Sequence, residues 1–343
     1  MPPTLVNDTL GRAMHDLRIS VTDRCNFRCP YCMPEEAFGE RYQFVAKTEL
    51  LDFEEIERLT RVFVSLGVAK IRITGGEPLL RSRIERLIAR LGAIEGLEDL
   101  ALTTNGFLLA EGAAKLASAG LQRVTVSLDS LDDAVYRQMN GRNFGVARVL
   151  EGIEAASAAG MGPVKLNCVA VRGLNDSGIV DLARRFKGTD TIIRFIEFMD
   201  VGNRNSWTAA DVMTGAEIFE LIDAAWPLEA VEPNYAGEVA SRFRYRDGSG
   251  EIGIIAPVSW PFCGGCTRAR LSTDGRLVTC LFASAGLDLR TPLRRGAGDD
   301  ELAEIITGAW ATRDDRYSEQ RAAVEAGGRP SEDSKLEMHH LGG

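Results

Sequence analysis

Asp16-Leu-Arg-Ile-Ser-Val-Thr-Asp-Arg-Cys25-Asn-Phe-Arg-Cys29-Pro-Tyr-Cys32 joins a strand pattern to a sulfur-rich loop. Leu17–Val21 is a short, β-branched, largely apolar run, which predicts a strand. Three cysteines follow with the spacing C-x3-C-x2-C. Thiolates on one short loop can hold three irons of a [4Fe–4S] cluster and leave the fourth iron open to an external molecule. The competing reading is structural zinc, which is normally closed by four ligands, and no fourth Cys or His is local.

Outward from this stretch, similar runs recur at Lys70–Thr74, Leu100–Thr104, Arg123–Leu128, Val164–Val171 and Ile192–Phe198. Continuous apolar runs suit parallel strands buried on both faces. Helices are predicted between them at Asp52–Leu66, Leu79–Leu91, Ala110–Ala119, Gly145–Ala159 and Asp176–Phe186. In the first, Asp52 and Glu55 form a capping box and Gly67 is a natural stop. Strand–helix repeats of this kind imply βαβ units on a parallel sheet. Six such units are two short of a complete eightfold barrel. Pattern alone leaves a partial (β/α)6 TIM-type barrel and a doubly wound sheet as the candidates. After about Gly202 the rhythm changes to a short helix at Ile218–Ile222. A hairpin around Arg246–Gly250 and a helix at Asp300–Trp310 follow, then a Gly-rich, charged tail from Gly327 expected to be mobile. Two domains are expected, 1–225 carrying the barrel and 226–343 the second cysteine cluster.

Composition narrows the chemistry. The chain has 343 residues, 45% hydrophobic and 26% charged, with 40 basic and 49 acidic side chains. That is a globular composition, and the acidic balance argues against a protein built to bind nucleic acid. There is no apolar stretch long enough to cross a membrane and no secretion-signal pattern at the N-terminus, so a cytoplasmic protein is expected. Of three histidines, only His15 lies in the body of the chain, which disfavours a Ser–His–Asp hydrolase or a His-ligated metal enzyme. Seven cysteines without an export signal do not read as a disulfide framework.

The second cluster is Cys263-Gly-Gly-Cys266, with Cys280 further on. Zinc, an electron-transfer cluster with a distant fourth ligand such as Cys168, and an open substrate-binding cluster are the alternatives. Cys168 sits in a strand pattern, where a small buried hydrophobe is its natural role. Thr267-Arg268-Ala269-Arg270 directly follows Cys266, and two guanidinium groups beside a metal site can grip an anion.

The C-x3-C-x-aromatic-C loop, with Tyr31 as the aromatic, resembles the radical S-adenosylmethionine (SAM) superfamily. Gly75-Gly76-Glu77-Pro78 at the end of the second strand matches that superfamily's GGEP motif. With Lys70–Pro78, Cys263-x2-Cys266-Thr-Arg-Ala-Arg, Cys280-Leu-Phe-Ala and the terminal Gly342-Gly343, the chain resembles the GTP 3′,8-cyclase family of molybdenum cofactor biosynthesis over nearly its whole length.

That resemblance implies two [4Fe–4S] clusters, held by Cys25, Cys29 and Cys32 and by Cys263, Cys266 and Cys280. It implies SAM contacts at Tyr31, Gly75, Gly76, Glu77, Ser127 and Met199. GTP contacts are implied at Arg18, Arg72, Thr103, Lys165, Arg268, Ala269 and Arg270, with Arg194 as a further basic candidate. Gly342 and Gly343 would enter the active site, and the role of His339-His340 beside them is open. The implied reaction is abstraction of the 3′ hydrogen of GTP by a 5′-deoxyadenosyl radical. Attack on C8 then gives (8S)-3′,8-cyclo-7,8-dihydroguanosine 5′-triphosphate. An external electron donor, a downstream cyclic pyranopterin monophosphate synthase and a possible homodimer are the implied partners. Charged residues inside apolar strands are costly unless paired or lining a cavity, and barrel sites lie at strand C-terminal ends. Arg18, Arg72, Thr103, Ser127, Lys165 and Arg194 all lie in the predicted strands, so they are expected around a cavity, most of them near those ends. The readings set against the cyclase are a radical SAM peptide maturase and a zinc-stabilised binding module.

Overall fold

The computed structural model describes residues 6–326 and 335–342, with only the backbone described for 322–326. Six strands occur where the runs predict them: β1 Asp16–Ser20, β2 Lys70–Thr74, β3 Asp99–Thr104, β4 Arg123–Ser127, β5 Lys165–Ala170 and β6 Ile192–Glu197. Six more follow: β7 Leu228–Val231, β8 Ser241–Tyr245, β9 Glu251–Ile255, β10 Arg268–Leu271, β11 Arg276–Val278 and β12 Leu287–Asp288. All lie in one sheet ordered β12-β11-β10-β1-β2-β3-β4-β5-β6-β9-β8-β7. From β1 to β6 each strand pairs parallel with the next. The late strands β10 and β9 add one parallel neighbour to each flank, against β1 and β6. The arrangement fits a partial TIM-type barrel extended at both edges by C-terminal chain. Strands from both sides of the expected division at residue 225 thus share one sheet.

The helices pack as their apolar spacing requires. Helix Phe53–Ser65 has the expected capping box: Asp52 Oδ1 accepts from Glu55 N at 2.7 Å, and Asp52 N donates to Glu55 Oε2 at 2.9 Å. Its Ile56, Leu59, Val62 and Phe63 are buried in the main core. The single helix expected at Leu79–Leu91 is instead split. Glu77 accepts from Leu79 N and caps a short 3-10 turn, Pro78–Leu80, and Arg83 adopts φ 61° before helix Ile84–Gly92 begins. The intervening Arg81-Ser82-Arg83 has no apolar residue to bury, so packing does not hold a helix there. A helix at Asp133–Asn140 has no counterpart among the expectations, although Asp132 caps it through Val135 N. Of the tail, 327–334 lie outside the described residues, and 335–342 return to the body of the protein. No described helix is long and apolar enough to cross a membrane.

Candidate active site

The first cysteine loop is held by its own backbone. Cys32 N and Met33 N both donate to Cys29 O, and Phe27 N donates to Cys25 Sγ at 3.4 Å. Arg28 points away from the sulfurs and ties the loop down, donating to the carbonyls of Cys25, Phe27 and Phe38 at 2.7–2.8 Å. Gly141, at φ 60°, ends helix Asp133–Asn140 against this loop, where a Cβ would lie 1.9 Å from Arg28 O. Burial and Glu77 push the Cys25 thiol up to about 12, and burial also drives Cys29 and Cys32 far above the ordinary thiol range. Such thiols lose their protons to a metal rather than to water.

The GGEP turn packs onto that loop. Gly76 N donates to Thr22 O at 2.6 Å and Glu77 N to Arg24 O at 2.8 Å. A Cβ on Gly76 would stand 2.4 Å from Arg24 O, and one on Gly75 2.5 Å from Thr22 O. The glycines therefore serve chain-to-chain contact. Glu77 is buried and accepts from Leu79 N, Thr104 Oγ1 and Asn105 N at 2.7–3.0 Å. Burial pushes its carboxyl up to about 7 against those donors. Tyr31 donates to Asp129 Oδ2 at 2.8 Å, which pins the motif's aromatic to the end of the Val-Ser-Leu-Asp segment.

The second loop is held by charge. Arg12 Nη1 donates to Cys263 O at 2.7 Å and Arg313 Nη1 to Cys266 O at 2.8 Å. Both guanidinium groups also bind the buried Asp8 carboxylate, at 2.5 and 3.0 Å. Arg268 reaches Cys266 Sγ through Nη2 at 3.2 Å. Burial opposes ionisation of Cys266, but Arg268 and Arg313 overcome it and bring the thiol down to about 6. At Cys280 burial outweighs the help of Phe282 N–H and Arg270 and raises the thiol to about 11. Among the described residues no three His, Cys, Asp or Glu side chains close on a point as the ligands of one ion would. A cubane spreads its thiolates over separate irons, so both three-cysteine loops fit that larger group.

Between the loops, strand register collects cations. Arg270 on β10 pairs with Arg18 on β1, which pairs with Arg72 on β2. On β6, Arg194 lies opposite Gly253, where a Cβ would be 2.8 Å from Arg194 Cγ. Arg18, Arg72, Lys165, Arg194, Arg268 and Arg270 all line one cavity, and among the described residues none has a carboxylate within ion-pair distance. Burial and mutual repulsion pull Lys165 down to about 8, Arg194 to about 9 and Arg270 to about 10. The buried Thr103 Oγ1, Asn167 Oδ1 and Arg194 Nε have no hydrogen-bond partner. Cations that lack a carboxylate partner and unsatisfied polar atoms in one cavity suit a polyanionic ligand.

The same cavity takes in Cys25, Cys29, Cys32, Tyr31, Gly75, Gly76, Thr103, Ser127, Met199, Cys263, Cys266 and Cys280. It does not take in Glu77 or Ala269. Gly342 stands at its edge, where its carbonyl accepts from Arg270 at 2.6 Å, and Gly343 lies outside the described residues. One expectation is corrected: of Arg18, Arg72, Thr103, Ser127, Lys165 and Arg194, only Thr103 and Ser127 stand at or near strand C-terminal ends. Arg18, Arg72 and Arg194 are mid-strand and Lys165 opens its strand, so the positive patch lies within the barrel, between the first loop, which follows β1, and the second, which precedes the parallel β10. Cys168 is fully buried and accepts from Asn175 Nδ2, as a core thiol. Sequence reasoning missed Asp129, Asn105 and Asn167 on the cavity wall, and the Asp8–Arg12–Arg313 clasp. Asp129 was within reach, since it stands two residues after Ser127, an expected SAM contact. The clasp is assembled from the two ends of the chain and leaves no local signature.

Comparison with known proteins agrees with this geometry. A GTP 3′,8-cyclase from Xanthomonas axonopodis pv. citri (strain 306) is 51% identical over 338 residues, 98% of this chain and 99% of that protein. One from Staphylococcus aureus (strain MRSA252) is 47% identical over 339 residues, with the same coverage. The chain belongs to the GTP 3′,8-cyclase family. Two family models divide it, radical SAM superfamily over residues 19–186 and Molybdenum Cofactor Synthesis C over 191–319. Among solved structures, Streptococcus suis SuiB bound to S-adenosylmethionine matches with TM-score 0.57 at 16% identity, over 78% of this chain and 61% of that one. SuiB bound to precursor peptide SuiA matches with TM-score 0.60 at 14% identity, over 90% and 67%. At such identity the likeness to SuiB shows the shared fold, while cyclase family membership rests on the near-full-length relatives.

Proposed function

We infer that this chain is a radical SAM enzyme that converts GTP to (8S)-3′,8-cyclo-7,8-dihydroguanosine 5′-triphosphate, the first step of molybdenum cofactor biosynthesis. The observation that carries this reading is the set of six cations, none with a carboxylate partner among the described residues, lying between two cysteine loops, each one thiolate short of closing a cubane. Cys25, Cys29 and Cys32 would hold the SAM cluster, and Cys263, Cys266 and Cys280 a second [4Fe–4S] cluster. When bound, the first cluster and SAM supply carbon-radical chemistry directed at the 3′ hydrogen of GTP.

In this reading the protein's own residues bind, orient and exclude water. Arg18, Arg72, Lys165, Arg194 and Arg270 receive the triphosphate deep in the barrel, where low dielectric strengthens each contact. Arg268 serves both Cys266 and the substrate. Thr103 supplies an unsatisfied hydroxyl to the nucleotide. Tyr31, Gly75, Gly76, Ser127 and Met199 surround SAM at the mouth. Glu77 acts indirectly, by tying the GGEP turn to the end of β3, and Ala269 only spaces the two arginines. The residues 1–225 and 226–343 divide the labour, one half for SAM and the other for the second cluster. A hydrogen-atom transfer needs no imidazole base, which suits a cavity whose lining includes no His. An external electron donor, delivery of product to a cyclic pyranopterin monophosphate synthase, a homodimer and a cytoplasmic setting that keeps seven thiols reduced complete the proposal.

The test is anaerobic reconstitution followed by incubation with SAM, dithionite and GTP, with the product identified by mass. About eight irons per chain and a cyclised nucleotide are expected. Deoxyadenosine formed with GTP present but without any cyclised product would overturn the reading.

A further inference from the structure

The residues just before the chain's end do something that their composition does not announce. His339 is 1% exposed. Its ring stands edge-on to Phe38 at 4.9 Å and to Tyr42 at 5.9 Å, in a box of aromatics just beyond the first cysteine loop. Burial pushes its pKa down to about 3, so it sits there as a neutral ring, and its buried Nδ1 has no hydrogen-bond partner. His340 points the other way. Its Nε2 meets Asp274 Oδ1 at 2.9 Å, in the turn between β10 and β11. Asp274 is braced by Ser272 Oγ at 2.5 Å and Arg276 Nε at 3.2 Å. Leu341 is fully buried. Gly342, at φ 76°, lies so close to Thr74 that a Cβ would be 2.1 Å from Thr74 Cγ2. Its carbonyl then accepts from the cavity residue Arg270.

We propose that His339 and His340 form a two-point latch that docks the C-terminal residues on the cavity rim and presents the Gly342 carbonyl to Arg270. The first point is an aromatic plug against the segment that follows Cys32. The second is a hydrogen bond to the turn that follows Arg270. Ordering a terminal segment costs backbone entropy at every residue, and segments without such ties fray. The latch offsets that cost and fixes the end by two independent contacts on either side of the cavity. Both histidines are positioning residues: His339 works through ring shape and His340 through its hydrogen bond to Asp274.

The experiment uses the full-length, cluster-loaded protein and the variants His339→Ala, His339→Phe, His340→Ala and His340→Arg. Backbone hydrogen exchange over 336–342 reads the docking, and kcat and KM for GTP and SAM read its consequence. The turnover arm rests on the GTP reading above. The exchange arm needs no substrate, so failure of that reading and failure of the latch are separate results. Both alanine variants are expected to speed exchange in this segment alone by about tenfold, and to lower kcat by about tenfold or more with KM for SAM and iron content unchanged. His339→Phe and His340→Arg are expected to keep the parent's values. Parental exchange in both alanine variants, a released tail with parental kcat, or His339→Phe behaving like His339→Ala would each overturn the proposal.

Discussion

The two cysteine loops have the same number of thiols and opposite surroundings. Around the first, Glu77 and Asp129 are buried carboxyls, and its backbone is fastened by main-chain hydrogen bonds and by an arginine turned away from the sulfurs. Around the second, Arg268 and Arg313 face the cysteines, and a buried Asp8–Arg12–Arg313 clasp grips the loop's carbonyls. Cys25 is raised to about 12 and Cys266 lowered to about 6. A loop that must receive a sulfonium cation gains from acidic neighbours, whereas one facing a polyanion gains from guanidinium groups. The chemistry of each loop is therefore set by its neighbours more than by its thiols.

Removing sulfur from one loop at a time separates them most sharply. Cys29→Ala is expected to abolish SAM cleavage and about half of the iron while GTP still binds. Cys266→Ala should lose the other half, with deoxyadenosine still formed but no cyclised nucleotide. Iron analysis and product mass check both.

Breaking the clasp comes next. Asp8→Ala leaves the buried Arg12 without a carboxylate and Arg313 with Asp315 alone, at a cost of about 3 kcal/mol in stability. The second cluster should be lost before the first on thermal unfolding, as followed by spectroscopy. Simultaneous loss of both would show that the loops are not independently supported.

A smaller effect is expected from Arg268→Ala or Arg270→Ala. Losing charge-assisted contacts of about 1.5–3 kcal/mol should lower GTP turnover roughly tenfold to a hundredfold with the first cluster intact. Arg268→Ala should also lower the reduction potential of the second cluster alone, because its hydrogen bonds to Cys266 Sγ are lost. Potentiometric titration reads this directly, and normal cyclisation by both variants would remove the substrate role from that strand.

The smallest effect on turnover concerns Glu77. Its folded pKa of about 7 lies above the ordinary 4.5, so the fold favours the protonated form. Its contribution is complete below about pH 4.5 and is lost as pH rises through 7. Between pH 5 and 8 the parent should lose roughly 2.5 kcal/mol of stability, though not of turnover, relative to Glu77→Gln, read from denaturant melts at each pH.

Much of this arrangement was legible in local pattern. The strand at Lys70–Thr74 falls where its apolar run predicts, and the capping box at Asp52 starts its helix, because both depend on contacts a few residues away. The cysteine spacings and the GGEP turn were readable for the same reason. The helix break at Arg81–Arg83 was not, because the capping of Pro78–Leu80 by Glu77 depends on where β3 brings Thr104 and Asn105. Neither was the clasp, whose Asp8 and Arg313 stand at opposite ends of the chain.

Residue order alone determined the βα rhythm, the two sulfur loops and the identity of the cations, since each is set by short-range periodicity or spacing. The tertiary fold alone decided that Arg270, Arg18 and Arg72 would share one rung of a sheet, because β10 pairs with a strand some 250 residues earlier and register there is chosen by packing. It also decided that His339 would be a buried ring and that His340 would bond to Asp274. Burial and charge neighbours arise only when distant segments meet.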